Sequence, residues 1–150
     1  PLPDSQLDRF LLRLHLGYPS DEAERALLAG TDRRDLNAQT SAVLDADNVR
    51  ALRRAVSEVH ASDALIEYVQ NLMARSRHHP GVRVGLSPRA GLALLRAARA
   101  HALLSGRAHV LPEDVQELFV AVAAHRLVVD AESGDAATLA KAILQAVAVD

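Results

Sequence analysis

The chain is 150 residues long, with 17 basic against 19 acidic side chains, no cysteine, no tryptophan and 3% aromatic residues. That balance excludes disulfide and thiolate–metal frameworks and offers a nucleic acid neither the basic excess nor the stacking platforms it needs. With 49% hydrophobic residues the chain can bury one packed core, yet no apolar run approaches the ~20 residues that insert across a bilayer. The absence of cysteine fits a reducing cytoplasm, and the opening Pro1-Leu2-Pro3, without Met, reads as a piece of something longer.

In chain order, Leu12, Leu14 and Leu16 alternate with Arg13 and His15, which predicts a half-buried strand over 11–16. Gly17-Tyr18-Pro19 breaks it. Ser20 then caps a helix running to about Leu28, with Asp21, Glu22 and Glu24 at its positive end and Gly30 beyond it. Residues 31–46 read as polar and irregular, apart from Ala42-Val43-Leu44. Asp45 or Asp47 caps the next helix, whose apolar face is Val49, Leu52, Val56 and Val59. Ser62 caps a longer one, with Leu65, Ile66, Val69, Leu72 and Met73 at helical spacing, stopping near Arg77 because His78-His79-Pro80-Gly81 cannot continue it. Val82-Arg83-Val84 suits a very short strand.

Ser87-Pro88 is the sharpest local signal, because Ser at the N-cap and Pro at the first helical position together favour a helix start. The periodicity predicts that this helix buries Leu92, Leu95, Ala98 and Ala102 and stops before Gly106. Pro112-Glu113-Asp114 starts another, with Val115, Leu118, Phe119, Val122 and Ala123 inward; its cap position holds Leu111, which cannot accept a backbone N–H and predicts a weaker start. A last helix, about Ala136 to Ala146, follows the Ser133-Gly134-Asp135 turn. The fold class is therefore all-α, a bundle of about five or six helices with an orphan strand near the front.

Arg89, at the second position of a helix, sits beside free backbone N–H groups and the positive dipole end. Its guanidinium is a fork of donors matched to phosphate oxygens, whereas an exposed first-turn arginine without a ligand is the structural alternative. The seven histidines show no ligand spacing with carboxylates, so no metal site is expected and solvated or hydrogen-bonded imidazoles are. Arg50, Arg53 and Arg54 read as a solvated basic face. No Ser-His-Asp arrangement occurs in a recognisable hydrolase context.

Several blocks occur in a fixed order: Gln6-Leu7-Asp8-Arg9-Phe10, Leu16-Gly17-Tyr18-Pro19, Arg75-Ser76-Arg77-His78-His79-Pro80, Ser87-Pro88-Arg89-Ala90, Gly106-Arg107 through Asp114-Val115, and Ala124-His125-Arg126-Leu127. Together they resemble the C-terminal part of the MoxR family of AAA+ ATPases, over nearly the whole chain. The resemblance implies that residues 1–19 are the tail of an ATPase core, with its last strand and linker, and that residues 20–150 form its helical lid. It implies that Ser87, Pro88 and Arg89 are the sensor-II motif, with Arg89 leaning on the γ-phosphate of ATP. Arg9 then matches an arginine finger that acts in trans, with Arg13 as its rival; an Asp8–arginine interaction or a frayed terminus is the alternative.

Implied cofactors are ATP and Mg²⁺ in the full-length protein, with neither held tightly by this piece, which has no G-x-x-x-x-G-K-[ST] loop and should be inactive alone. Implied partners are the chain's own ATPase core, identical subunits in a ring, and proteins with von Willebrand factor A domains. Leu86 and Leu111 depart from the family's usual small and polar residues at those places. If the strand over 11–16 belongs to a sheet in the missing core, residues 1–18 should fray here or pair with a second copy. A free-standing, histone-like interaction module is the alternative, and that strand is the feature separating the two readings.

Overall fold

The computed structural model describes residues 3–30 and 40–149; the irregular stretch expected at 31–39 lies outside them. Seven helices occur among the described residues: α1 Asp4–Leu7, α2 Asp21–Leu28, α3 Ala46–Glu58, α4 Asp63–His78, α5 Pro88–Leu104, α6 Pro112–Ala123 and α7 Ala136–Gln145. Strands β1 Val82–Val84 and β2 Val128–Val129 pair antiparallel, Val82 opposite Val129 and Val84 opposite Val128, with an irregularity between. The all-α expectation therefore holds, and none of these helices is long and apolar enough to cross a membrane.

Two compact units divide the chain: Pro1–Arg13 together with Arg53–Asp150, and Leu14–Leu52. In the first, Leu72, Leu94, Val115, Phe119, Val122 and Ile143 are fully buried between α4, α5, α6 and α7. Each such side chain contributes about 1.5–3 kcal/mol by leaving water. In the second unit none of the described residues is buried, and Leu16, Tyr18, Leu28 and Val43 stand exposed. The apolar face expected on α3 reaches the core only through Val59, just beyond the helix end; Val56 is half-buried, and Val49 and Leu52 remain exposed.

The expected caps form. Ser20 Oγ accepts from Ala23 N and Ser62 Oγ from Leu65 N; Asp135, placed by the sequence only in a turn, also caps its helix, accepting from Ala137 N and Thr138 N. Between Asp45 and Asp47 the structure selects Asp45, whose Oδ1 takes Asn48 N at 2.7 Å.

Two expectations are corrected. Of the face expected on α5, Ala98 and Ala102 are buried and Leu95 packs on the core, but Leu92 is 70% exposed and Ala90 and Leu94 point inward instead. Leucines at 92, 94 and 95 make the periodicity ambiguous, and the row of alanines wins because small side chains let helices approach closely. Gly91 lies so near Met73 that a Cβ there would come within 2.4 Å of its sulfur.

The segment 11–16 is not a strand. Leu12 packs on the core and Arg13 N–H bonds Ala121 O at 2.9 Å, but Leu14 and Leu16 face solvent and no ladder forms. Alternation alone makes no strand without a partner backbone. Nor are residues 8–13 frayed, because they dock on the bundle. The feature expected to separate lid from interaction module is thus not formed.

Candidate functional site

The start of α5 is built from α4 outward. Ser76 is fully buried; its Oγ–H bonds Met73 O at 2.7 Å and it accepts Leu86 N–H at 2.9 Å. Arg77 Nε donates to Leu86 O at 2.9 Å. Both backbone groups of Leu86 are therefore held by the last turn of α4, and its side chain, only 2% exposed, fills the core. Gly85 permits this approach, since a Cβ there would lie 2.7 Å from Arg77 backbone atoms.

Ser87 follows as N-cap, accepting Ala90 N–H at 3.2 Å, with Pro88 at the first helical position. These two predicted residues thus shape the helix start that carries Arg89. Arg89 itself is exposed. Among the described residues it makes no hydrogen bond or ion pair, and its charge is felt by Arg126.

The sequence offered an Asp8–arginine interaction without fixing the partner, and the structure makes it Arg126, beside Ser87. Ser87 Oγ donates to both carboxylate oxygens of Asp8 at 3.1 Å. Arg126 Nε donates to Asp8 Oδ1 at 3.2 Å. The Arg126 side chain is 2% exposed and Asp8 27%. The same guanidinium donates to the carbonyls of Asp8, Phe10, Leu11 and Val122. Burial pushes the Arg126 pKa down and neighbouring Arg89 adds to that, while Asp8 opposes both. His125 is also held below its ordinary value, chiefly by burial, although its Nε2 bonds Phe10 O at 3.2 Å. A carbonyl can only accept, so Nε2 carries the proton. The one signal available in the sequence was the family-like Ala124-His125-Arg126-Leu127 block.

Arg9 and Arg13 are both exposed. Arg9 is the residue after Asp8, and Arg13 is tied to α6 only through its backbone. The structure brings Ser87, Pro88 and Arg89 together with Asp8 and therefore with the neighbourhood of Arg9. A surface pocket lined by His60, Tyr68, His109 and Pro112 includes none of them.

A second carboxylate node closes the α5–α6 turn. Gly106, at φ +73°, ends α5, with its N–H on Leu103 O and that of Arg107 on Ala102 O. Arg107 is thereby brought round to clamp both oxygens of Asp114, at 2.6 and 2.7 Å. Asp114 is 1% exposed and also meets His101 Nδ1 at 2.7 Å. Its Oδ2 accepts Leu111 N–H at 2.8 Å, so α6 is capped from its third residue and the weak start expected at Leu111 is made good. The forked hydrogen bonds from Arg107 hold the Asp114 carboxyl far below the usual carboxylate range, against the opposing effect of burial.

The other histidines make local contacts. His78 Nδ1 meets Ala74 O and His79 Nδ1 accepts Gly81 N–H, while His60 and His109 sit opposite one another in a single backbone bridge. Among the described residues no three His, Asp or Glu side chains are grouped to hold a metal ion.

Residues 74–147 match the AAA lid domain family. The protein YeaC of Bacillus subtilis is 37% identical over 145 residues, covering 97% of this chain and 45% of that protein. The chaperone MoxR1 of Mycobacterium tuberculosis is 35% identical over 138 residues, covering 85% of this chain and 36% of its own length. A candidate ATPase of known crystal structure from Cytophaga hutchinsonii superposes with a TM-score of 0.89 at 27% identity, over 100% of this chain and 49% of that one. The chain thus spans less than half the length of each of these relatives.

Proposed function

This chain belongs to the MoxR-type AAA+ ATPases and carries their lid domain, and we propose that it lends Arg89 as sensor-II arginine to an ATP site built on a nucleotide-binding core. The observation that carries the reading is an exposed guanidinium at the positive end of α5, with no counter-ion of its own among the described residues and its helix start braced by α4. A γ-phosphate supplies the missing anion. As charge spreads over the phosphoryl oxygens during transfer, Arg89 stabilises it and ties the lid's position to the nucleotide's state.

In this reading the core holds the phosphate loop and the Mg²⁺ ligands, and the metal, when bound there, neutralises charge on the phosphates. Residues 1–19 come from the end of that core and residues 20–150 form the lid. Arg9 is the candidate finger into a neighbouring subunit's site, with Arg13 as its rival, in a cytoplasmic ring of identical subunits. By likeness to a relative named a chaperone, the ring remodels partner proteins, von Willebrand factor A domain proteins among the candidates.

The test is Arg89→Ala in the complete ATPase. Hydrolysis should fall by about 10²-fold, the scale of losing one charge-stabilising donor, while the unfolding midpoint stays put. Unchanged turnover removes Arg89 from the mechanism.

A further inference from the structure

Arg9 and Arg89 hang from one ionic node. Asp8 immediately precedes Arg9, and Ser87 lies two residues before Arg89. Ser87 spends its only hydrogen on the Asp8 carboxylate and a lone pair on the Ala90 N–H. Its side chain therefore cannot turn without giving up either the α5 cap or the carboxylate. Arg126 closes the arrangement from α6 and the turn after it: one guanidinium grips the Asp8 side chain, three successive-region carbonyls from Asp8, Phe10 and Leu11, and the α6 carbonyl of Val122. A planar fork with five donors suits this task, and a lysine could not reach all of these acceptors at once.

The charges sharpen the point. Arg126 and Arg89 are neighbouring cations, and Asp8 is the anion on Arg126. Neutralising Asp8 leaves two like charges facing each other with no anion on Arg126, one of them desolvated.

We propose that Asp8, held by Ser87 and Arg126, is a positioning residue that keeps Arg9 and Arg89 in fixed relation, so that the nucleotide contact made by one sets the placement of the other. This deepens the reading of Arg89 as phosphate sensor and rests on it. The node does no chemistry itself. It makes the two arginines, one directed to the subunit's own ATP and one to its neighbour's, parts of a single rigid piece.

Asp8→Asn keeps the shape and removes the charge, and it is read in two ways. In the isolated chain, amide exchange at Arg13, whose N–H bonds Ala121 O, should quicken by about tenfold or more while α4–α6 core amides keep their protection. Unchanged exchange at Arg13 overturns the node. In the complete ATPase, Asp8→Asn should lower kcat roughly tenfold with the KM for ATP moved less than about twofold, and the Asp8→Asn/Arg89→Ala double variant should be no worse than about threefold below Arg89→Ala alone. Losses that simply multiply overturn the positioning role. Should Arg89→Ala leave turnover intact, the sensor reading fails by itself, and the exchange result still decides whether Asp8 docks the segment.

Discussion

Asp114 and Asp8 are both carboxylates gripped by an arginine, but they join stretches of chain separated very differently. Asp114 binds Arg107 seven residues away and His101 thirteen away. Asp8 binds Ser87 and Arg126 at separations of 79 and 118 residues. The first node closes the α5–α6 turn, buries its carboxylate beneath a partly exposed arginine and caps a helix. The second docks an edge segment on a bundle already made, with its carboxylate partly in solvent. Loop closure grows only slowly with length, so the larger difference lies in what each carboxylate holds: Asp114 is buried and caps a helix inside the bundle, whereas Asp8 is partly exposed and ties an edge segment to a buried Arg126.

That contrast is broken or sharpened by substitution. The largest effect is expected for Asp114→Ala, which strands Arg107, His101 and the Leu111 N–H and should cost about 2–4 kcal/mol by denaturant unfolding. A loss under about 0.5 kcal/mol, the scale of an ordinary surface change, would abolish the distinction. Ser76→Ala comes next: it leaves the buried Leu86 N–H without a partner, at a cost of about 1–3 kcal/mol, and should loosen the α5 start.

Acid weakens the Asp114 node. Its folded pKa is depressed, so its stabilisation is complete above the unfolded carboxylate value of about 3.9. It drains as pH falls from there towards the folded value. Wild-type stability should therefore decline below about pH 4, and Asp114→Asn should flatten that limb. Smallest of all, Asp8→Asn should shift global stability by less than about 1 kcal/mol, because Asp8 is partly in solvent, the asparagine oxygen still accepts from Arg126, and that guanidinium keeps its carbonyl partners. A midpoint drop as large as that of Asp114→Ala would make Asp8 a second keystone instead.

Local chemistry made most of the fold readable. Ser20, Ser62 and Ser87 cap the helices their spacing indicates, and Pro88 starts α5 as its fixed φ requires. Arg89 was legible for the same reason, since a helix N-terminus is written within four residues. The face of α5 was not, because alanine and leucine on nearly every side leave periodicity without a preferred direction until α4 arrives with Met73. The strand over 11–16 misled because alternation describes one edge and is silent about the partner it needs. The Asp8–Arg126 pair leaves no periodic trace at all: two charges brought together by the whole bundle look, along the chain, like two surface residues.

The grip on Leu86 has a mechanical consequence. With its N–H and carbonyl both clasped by α4, the turn before α5 cannot bend like a strap. In the proposed role of Arg89, a tug when a phosphate departs would be delivered to α4 as leverage, and the pivot of any swing would lie outside residues 76–90.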